Sequence, residues 1–142
     1  MSIEKEQYEA GRWLGTARED IDAARVLLES GKFSHACFAA QQAGEKALKA
    51  VWFGRGLDPW GHSIQRLIND LPAEDARRRL ATLVAQASRL DRYYIAARYP
   101  NGLPDLTPGQ CFDAQDARSA VDSAVLLLEC ASEVLRADGS GG

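Results

Sequence analysis

Asp91, Tyr94 and Arg98 have the types and spacing to hold an anion. At i, i+3 and i+7 they share one side of a helix. A guanidinium can grip a phosphate at two points while a tyrosine ring stacks on a base. The same residues could instead make an intrahelical ion pair or hydrogen bond beside a partly buried Tyr94. Lys46 and Lys49, on an earlier helix, could face the same ligand. Alternatively, Lys46 is solvated, and Glu45 and Lys49 at i and i+4 form a surface pair worth about 0.3–0.5 kcal/mol. His62 could donate to an anion, or it could cap a loop or a helix start. Arg77, Arg78 and Arg79, with Arg89 and Arg92, make one helix basic. That stripe could follow a nucleic-acid backbone. Complementarity with the acidic last helix (Asp113, Asp116, Asp122, Glu129, Glu133) is the favoured reading, because no aromatic residues alternate with the arginines.

Other chemistries find little material. His35 and His62 lie on separate elements and form no ligand pair at helical spacing, so neither a metal nor another cofactor is expected. There is no Gly-x-x-x-x-Gly-Lys-Ser/Thr phosphate loop and no nucleophile with an adjacent base. Cys37, Cys111 and Cys130 form no Cys-x-x-Cys pair, and an odd number argues against a disulfide framework. Cys37 and Cys130 fall inside helical patterns and read as small hydrophobes.

The elements that must position these residues are helices. A chain of 142 residues fits one domain. The net charge of −3 argues against a strongly electrostatic nucleic-acid binder. No apolar run approaches the ~20 residues that cross a bilayer. The first residues lack the regions of a signal peptide, so a cytoplasmic protein with no membrane partner is expected. Leu14, Ala17, Ile21, Ala24 and Leu28 recur at steps of three and four, predicting a helix from Glu4 to Glu29 that stops at Ser30-Gly31. A second helix runs from Phe33 to Phe53, with Cys37, Ala40, Gly44, Ala47 and Val51 on a face that admits a close neighbour. Phe38, Trp52 and Phe53 on or beside its outer face suggest a central helix or a subunit interface.

A Gly/Pro loop over 54–61 follows, then a short helix from Ser63 to Leu71 with Ser63 as N-cap. A long helix begins at Glu74-Asp75, with Leu80, Leu83, Ala87, Leu90, Tyr94 and Ala97 as its seam, and ends before Pro100. After a connection over Tyr99–Phe112, Asp113 caps a last helix that ends near Arg136. The sum is an all-α, antiparallel up-and-down bundle of four long helices plus one short one over residues 1–137, with 138–142 as a flexible C-terminal tail.

The run Gln41-Gln-Ala-Gly-Glu-Lys-Ala-Leu-Lys-Ala50 is similar to the QQA-EKALKA core of HEPN domains. Gly61-His-Ser-Ile64, Tyr94-Ile-Ala-Ala-Arg-Tyr-Pro100, and Ala17 with Asp20, Ile21 and Ala24 fit the same pattern. The resemblance spans about Tyr8 to Leu135. It implies a small helical bundle that usually dimerises, is often associated with a nucleotide or RNA, and is often encoded beside a small nucleotidyltransferase in toxin–antitoxin or related pairs. Catalytic members are metal-independent ribonucleases marked by an arginine followed a few residues later by a histidine, near the helix end that here carries Arg98. This chain has no histidine after His62, and Arg98 is followed by Tyr99 and Pro100. Arg55 and His62 have six residues between them, but they sit in the loop after the second helix. The expectation is therefore a non-catalytic binding and assembly module. The partners expected are itself, a nucleotidyltransferase-type protein, and a nucleotide or RNA phosphate near Arg98. The alternatives are a ribonuclease toxin using Arg98 or Arg55 with His62, and a purely structural interaction domain.

Overall fold

A computed structural model describes residues 2–140. Helix α1 spans Ile3–Glu29, α2 Phe33–Gly54, α3 Ile64–Asn69, α4 Glu74–Ala81, α5 Val84–Asp91 and α6 Tyr93–Ala96; a 3-10 turn follows at Pro100–Gly102, then α7 Pro108–Cys111 and α8 Ala114–Ser140. Among the described residues there is no strand. The fold is an all-α bundle in which α1 and α8 both pack on α2. No described helix is long and apolar enough to cross a membrane.

Alanines make the centre of the bundle. Ala17 and Ala24 of α1, Ala36, Ala40, Ala43 and Ala47 of α2, and Ala117, Ala120 and Ala124 of α8 are fully buried. Such short side chains let helix backbones approach, and dispersion contacts accumulate along the seams. Gly44 is the point where α2 meets α3, α5 and α8 together. A Cβ there would lie 2.9 Å from the Cδ1 atoms of both Ile64 and Leu90, and 3.3 Å from Cδ1 of Leu127. α1 stops where expected: Gly31 takes a φ of 77° and the Lys32 amide bonds back to the Leu27 carbonyl at 2.8 Å. α8 starts on a reciprocal pair, with the Asp116 amide on Asp113 Oδ1 and the Asp113 amide on Asp116 Oδ2, both at 2.9 Å.

The segment after Pro72, expected as one long helix, is broken twice. Thr82 Oγ1 donates to the Arg79 carbonyl at 2.8 Å and the Leu83 amide bonds only three residues back, so the axis turns between α4 and α5. A second break falls at Arg92, between α5 and α6. Leu90 and Ala97 are buried as expected, but Tyr93, three residues after Leu90, takes the core place between them in place of Tyr94; it is 7% exposed and edge-on to Phe112 at 5.5 Å. At the other end α8 continues past Arg136, so residues 138–140 of the expected tail are helical. Gly141 and Gly142 lie outside the described residues.

Phe38, Trp52 and Phe53 are occupied within the chain. Phe53 stacks on Trp13 at 5.0 Å, Trp52 Nε1 donates to the Leu67 carbonyl at 2.9 Å, and Phe38 lies under Arg98. All three aromatics thus pack between elements of the chain while staying partly exposed. The arginines of α4 and α5 diverge to separate partners: Arg77 to the Leu71 carbonyl, Arg78 to Glu74, Arg79 to Glu133 of α8 and Arg89 to Ser123. They do not form one free stripe.

Candidate functional site

The two tyrosines of α6 part at the site. With Tyr93 taken into the core, Tyr94 turns to the side of the bundle. The His62 ring stacks on it, 4.5 Å between centroids and 18° between planes. Arg98, one turn later, donates from Nε to the Tyr94 carbonyl at 2.8 Å. Its guanidinium carbon stands 4.4 Å from the Phe38 centroid, 4.6 Å from that of Tyr94 and 5.0 Å from that of Tyr99. Three rings thus fix the cation, each face contributing about 0.5–1 kcal/mol. No carboxylate among the described residues pairs with it.

α2 supplies a polar row beneath His62. Glu45 is only 6% exposed in its side chain, yet both its oxygens lie 3.2 Å from His62 Nδ1. Lys49 Nζ reaches Glu45 Oε2 at 3.0 Å, and Gln41 Nε2 donates to Oε1 at 3.2 Å. Gln42 in turn donates to Gln41 Oε1 at 2.8 Å. The Glu45–Lys49 pair is therefore an interior one, with Lys49 15% exposed, where loss of one partner strands a buried charge.

Asp91 serves a different purpose from the one its spacing suggests. Oδ1 accepts the Ile64 amide at 2.7 Å; Oδ2 accepts the Gln65 amide at 3.1 Å and the Ser63 hydroxyl at 3.2 Å. It caps α3 from across the bundle, with Ser63 as N-cap accepting the Arg66 amide at 3.2 Å. Lys46 turns away to Asp20 of α1, Nζ to Oδ2 at 2.7 Å. Of the six residues singled out for phosphate binding, Tyr94, Arg98 and His62 come together at one surface, Lys49 lies beneath them, and Asp91 and Lys46 are committed elsewhere. Arg55 does not pair with His62: it forks onto Asp138 at 3.0 and 2.7 Å and reaches Asp75 at 3.5 Å. By its spacing Glu45 reads as half of a surface pair with Lys49, and Gln41 and Phe38 are not singled out for the site. The available signal is a polar row at i, i+4 and i+8 (Gln41, Glu45, Lys49) inside a helix otherwise rich in small apolar residues.

Beside Arg98 opens a cavity of about 660 Å³, bounded by the start of α2 and the loop before α7. Its walls include Lys32, His35, Phe38, Arg98 and Thr107, and no acidic side chain. α2 begins there without a side-chain cap. Basic side chains and first-turn amides with no opposing carboxylate make this a place of positive potential. The Cys37 thiol in α2 is inert: burial first, then Asp116 and Asp113, push it up to about 12. Among the described residues no three His, Cys, Asp or Glu side chains come together as a metal-holding group.

The model of the HEPN domain matches residues 10–135. The chain belongs to the HEPN family. A curated relative from Methanocaldococcus jannaschii, named "Putative toxin MJ1304", is 27% identical over 127 residues, covering 84% of each chain. Among solved structures, TT1696 from Thermus thermophilus is similar at a TM-score of 0.81 with 39% identity, covering 89% of this chain and 98% of that one. ST0689, described as an archaeal HEPN homologue, is similar at 0.75 with 28% identity and the same coverage. A HEPN domain protein from Thermotoga maritima is similar at 0.66 with 28% identity, covering 88% and 98%.

Proposed function

We propose that this HEPN protein is a non-catalytic binding and assembly module that takes a phosphate-bearing ligand, a nucleotide or an RNA segment, at Arg98. The observation that carries the reading is the state of that guanidinium. One N–H is used internally, the plane is held by three rings, and the rest of the fork faces no carboxylate at the rim of a cavity without acids. Such a preorganised fork suits two-point contact with phosphate. Tyr94, Tyr99 and Phe38 add ring surface next to it. The module pairs with a second copy of itself and with a nucleotidyltransferase-type protein. Both proposals rest on the family resemblance. Exposed Ile95, Tyr99 and Leu106, close to Arg98 in the chain, supply apolar surface for such contacts.

Calorimetric titration with a mononucleotide and a short RNA tests the site. Arg98→Ala should weaken binding by about 1.5–3 kcal/mol, the range of a lost charged hydrogen bond. Arg78→Ala, already paired with Glu74, should change little. Equal losses in the two would point to diffuse electrostatics and sink the reading.

One observation favours a second reading, a ribonuclease toxin. His62 and Arg98 both border the Tyr94 ring, so a proton-transfer group and a phosphate-binding cation stand on one aromatic side chain. Metal-independent cleavage of RNA, abolished in both His62→Ala and Arg98→Ala, would establish it over the non-catalytic reading.

A further inference from the structure

We propose that Glu45 is the positioning residue of this site: it holds His62 with Nδ1–H turned inward, so that Nε2 is the nitrogen offered to a phosphate oxygen. The inference deepens the phosphate-binding reading and rests on it for the ligand, but the state of the ring can be read without any ligand. Glu45 Oε2 receives the Lys49 ammonium and Oε1 the Gln41 amide, and His62 Nδ1 lies 3.2 Å from both oxygens. A carboxylate so flanked by donors accepts and does not donate, so the proton between it and the imidazole sits on Nδ1. The neutral ring then carries its lone pair on Nε2, and the protonated ring carries a second N–H there.

The ring is held from three directions. Glu45 fixes its Nδ1 edge, Tyr94 covers one face at 4.5 Å, and Gln41 Nε2 reaches the His62 carbonyl at 3.5 Å. A half-turn about χ2 would put a carbon where Nδ1 is and lose the carboxylate contact. No described residue hydrogen-bonds Nε2, and the side chain is 56% exposed against 6% for Glu45. The geometry thus separates a buried, committed nitrogen from an open one, as when a carboxylate orients the histidine of a hydrolase or a metal site.

Proton linkage gives this arrangement a consequence. A neutral Nε2 presents a lone pair that repels a phosphate oxygen; an imidazolium donates to it. The charged groups around the ring are Glu45 and Lys49 from α2, Arg98 after α6, Asp91, which reaches the neighbouring Ser63 from α5, and Arg66 and Asp70, which line one pocket with His62 from α3 and its end. A bound phosphodiester adds a negative charge that the imidazolium can meet with a second N–H, so binding is linked to a proton on His62.

Nitrogen-15 spectra of the ligand-free protein decide the first half. Wild type should show the Nδ1–H tautomer in its neutral ring, and Glu45→Gln, whose amide can donate to Nδ1, should move the population toward Nε2–H. Predominance of Nε2–H in wild type, or identical ring shifts in the variant, would overturn the proposal whether or not any nucleotide binds. Because Glu45→Gln strands Lys49, the double variant Glu45→Gln/Lys49→Met, which removes both buried charges, serves if the single one fails to fold. The second half is read with a dinucleoside monophosphate, whose diester does not titrate near neutrality. Its affinity should fall by about tenfold or more from about pH 6 to about pH 8 in wild type, within the limit of about tenfold per pH unit that one linked proton sets, and stay within about twofold in His62→Ala. A flat profile in wild type that nevertheless binds at Arg98 would leave the phosphate site standing and reject the role of His62 in it.

Discussion

Asp91 shows how much a single side chain can mean at this site without touching a ligand. Its carboxylate takes the Ile64 and Gln65 amides, the Ser63 hydroxyl and the Gln65 amide side chain. Asp91→Ala would leave those first-turn donors of α3 unsatisfied, and we expect a loss of about 2–3 kcal/mol in urea unfolding, with Asn recovering part of it. A loss under about 0.5 kcal/mol, the cost of a neutral surface change, would mean that water replaces the cap freely. Cys37 carries a pH signature. Its folded thiol titrates at about 12 against 9.0 ordinarily, with burial as the main cause. Below pH 9 the group adds nothing pH-dependent; above it the unfolded chain releases the proton that the folded chain keeps, so stability falls as pH rises toward 12. Cys37→Ala should flatten that alkaline decline by up to about 1.4 kcal/mol per pH unit, read from urea midpoints, even though its cavity lowers the neutral value. The types and positions of Tyr94, Arg98 and His62 were legible in the sequence because short helical spacings and a proline stop are local. Glu45 and Gln41 were not, since a buried polar row reads as an ordinary solvated stripe until the neighbouring loop places His62 above it.

At the scale of elements, the small residues decide how close the helices come. Gly44→Ala should cost about 1 kcal/mol, because the three methyl groups it meets must all give way and this outweighs the helix-propensity gain of about 1 kcal/mol. Gly15 in α1 has open space around it, with nothing within 4 Å of an added Cβ, so Gly15→Ala should stabilise by about 0.5–1 kcal/mol. Thermal unfolding of the two variants side by side checks the contrast; stabilisation by both would show that α2 is less tightly enclosed than the structure requires. The helix boundaries at Gly31, Ser63 and Asp113 followed from local capping chemistry and hold. The breaks at Thr82–Leu83 and Arg92 did not show in the periodicity, because Leu80, Leu83, Ala87 and Leu90 keep a continuous apolar pattern across the first turn. Adjacent tyrosines matter for the site: at i+3 and i+4 from Leu90, either fits the helical seam between Leu90 and Ala97, and Tyr93 is the one that takes the core place.

Two of the open regions among the described residues lie on different elements. The cavity beside Arg98 is basic; the groove of about 630 Å³ between α1 and α8, floored by Ala10, Leu14 and Leu135, carries Arg18 and Arg136 at its edge. Trp60, 85% exposed, stands on the loop that delivers His62. Apolar surface of this kind suits self-association, and light scattering at micromolar concentration should give twice the chain mass; a monomer persisting at high concentration would remove the dimer. The all-helical bundle was legible from periodicity and the family from the α2 motif, whereas nothing linear could show that α2, the loop after it and the end of α6 converge on one surface. Whether that shared surface is where a phosphate docks is tested most directly by titrating isotope-labelled protein with a short single-stranded RNA. A site at Arg98 should give a saturable shift of the Arg98 Nε–H resonance, quiet Arg77, Arg78 and Arg79, and an intact RNA at the end. An unmoved Arg98, shifts centred on the three arginines of α4, or a cleaved RNA would contradict it.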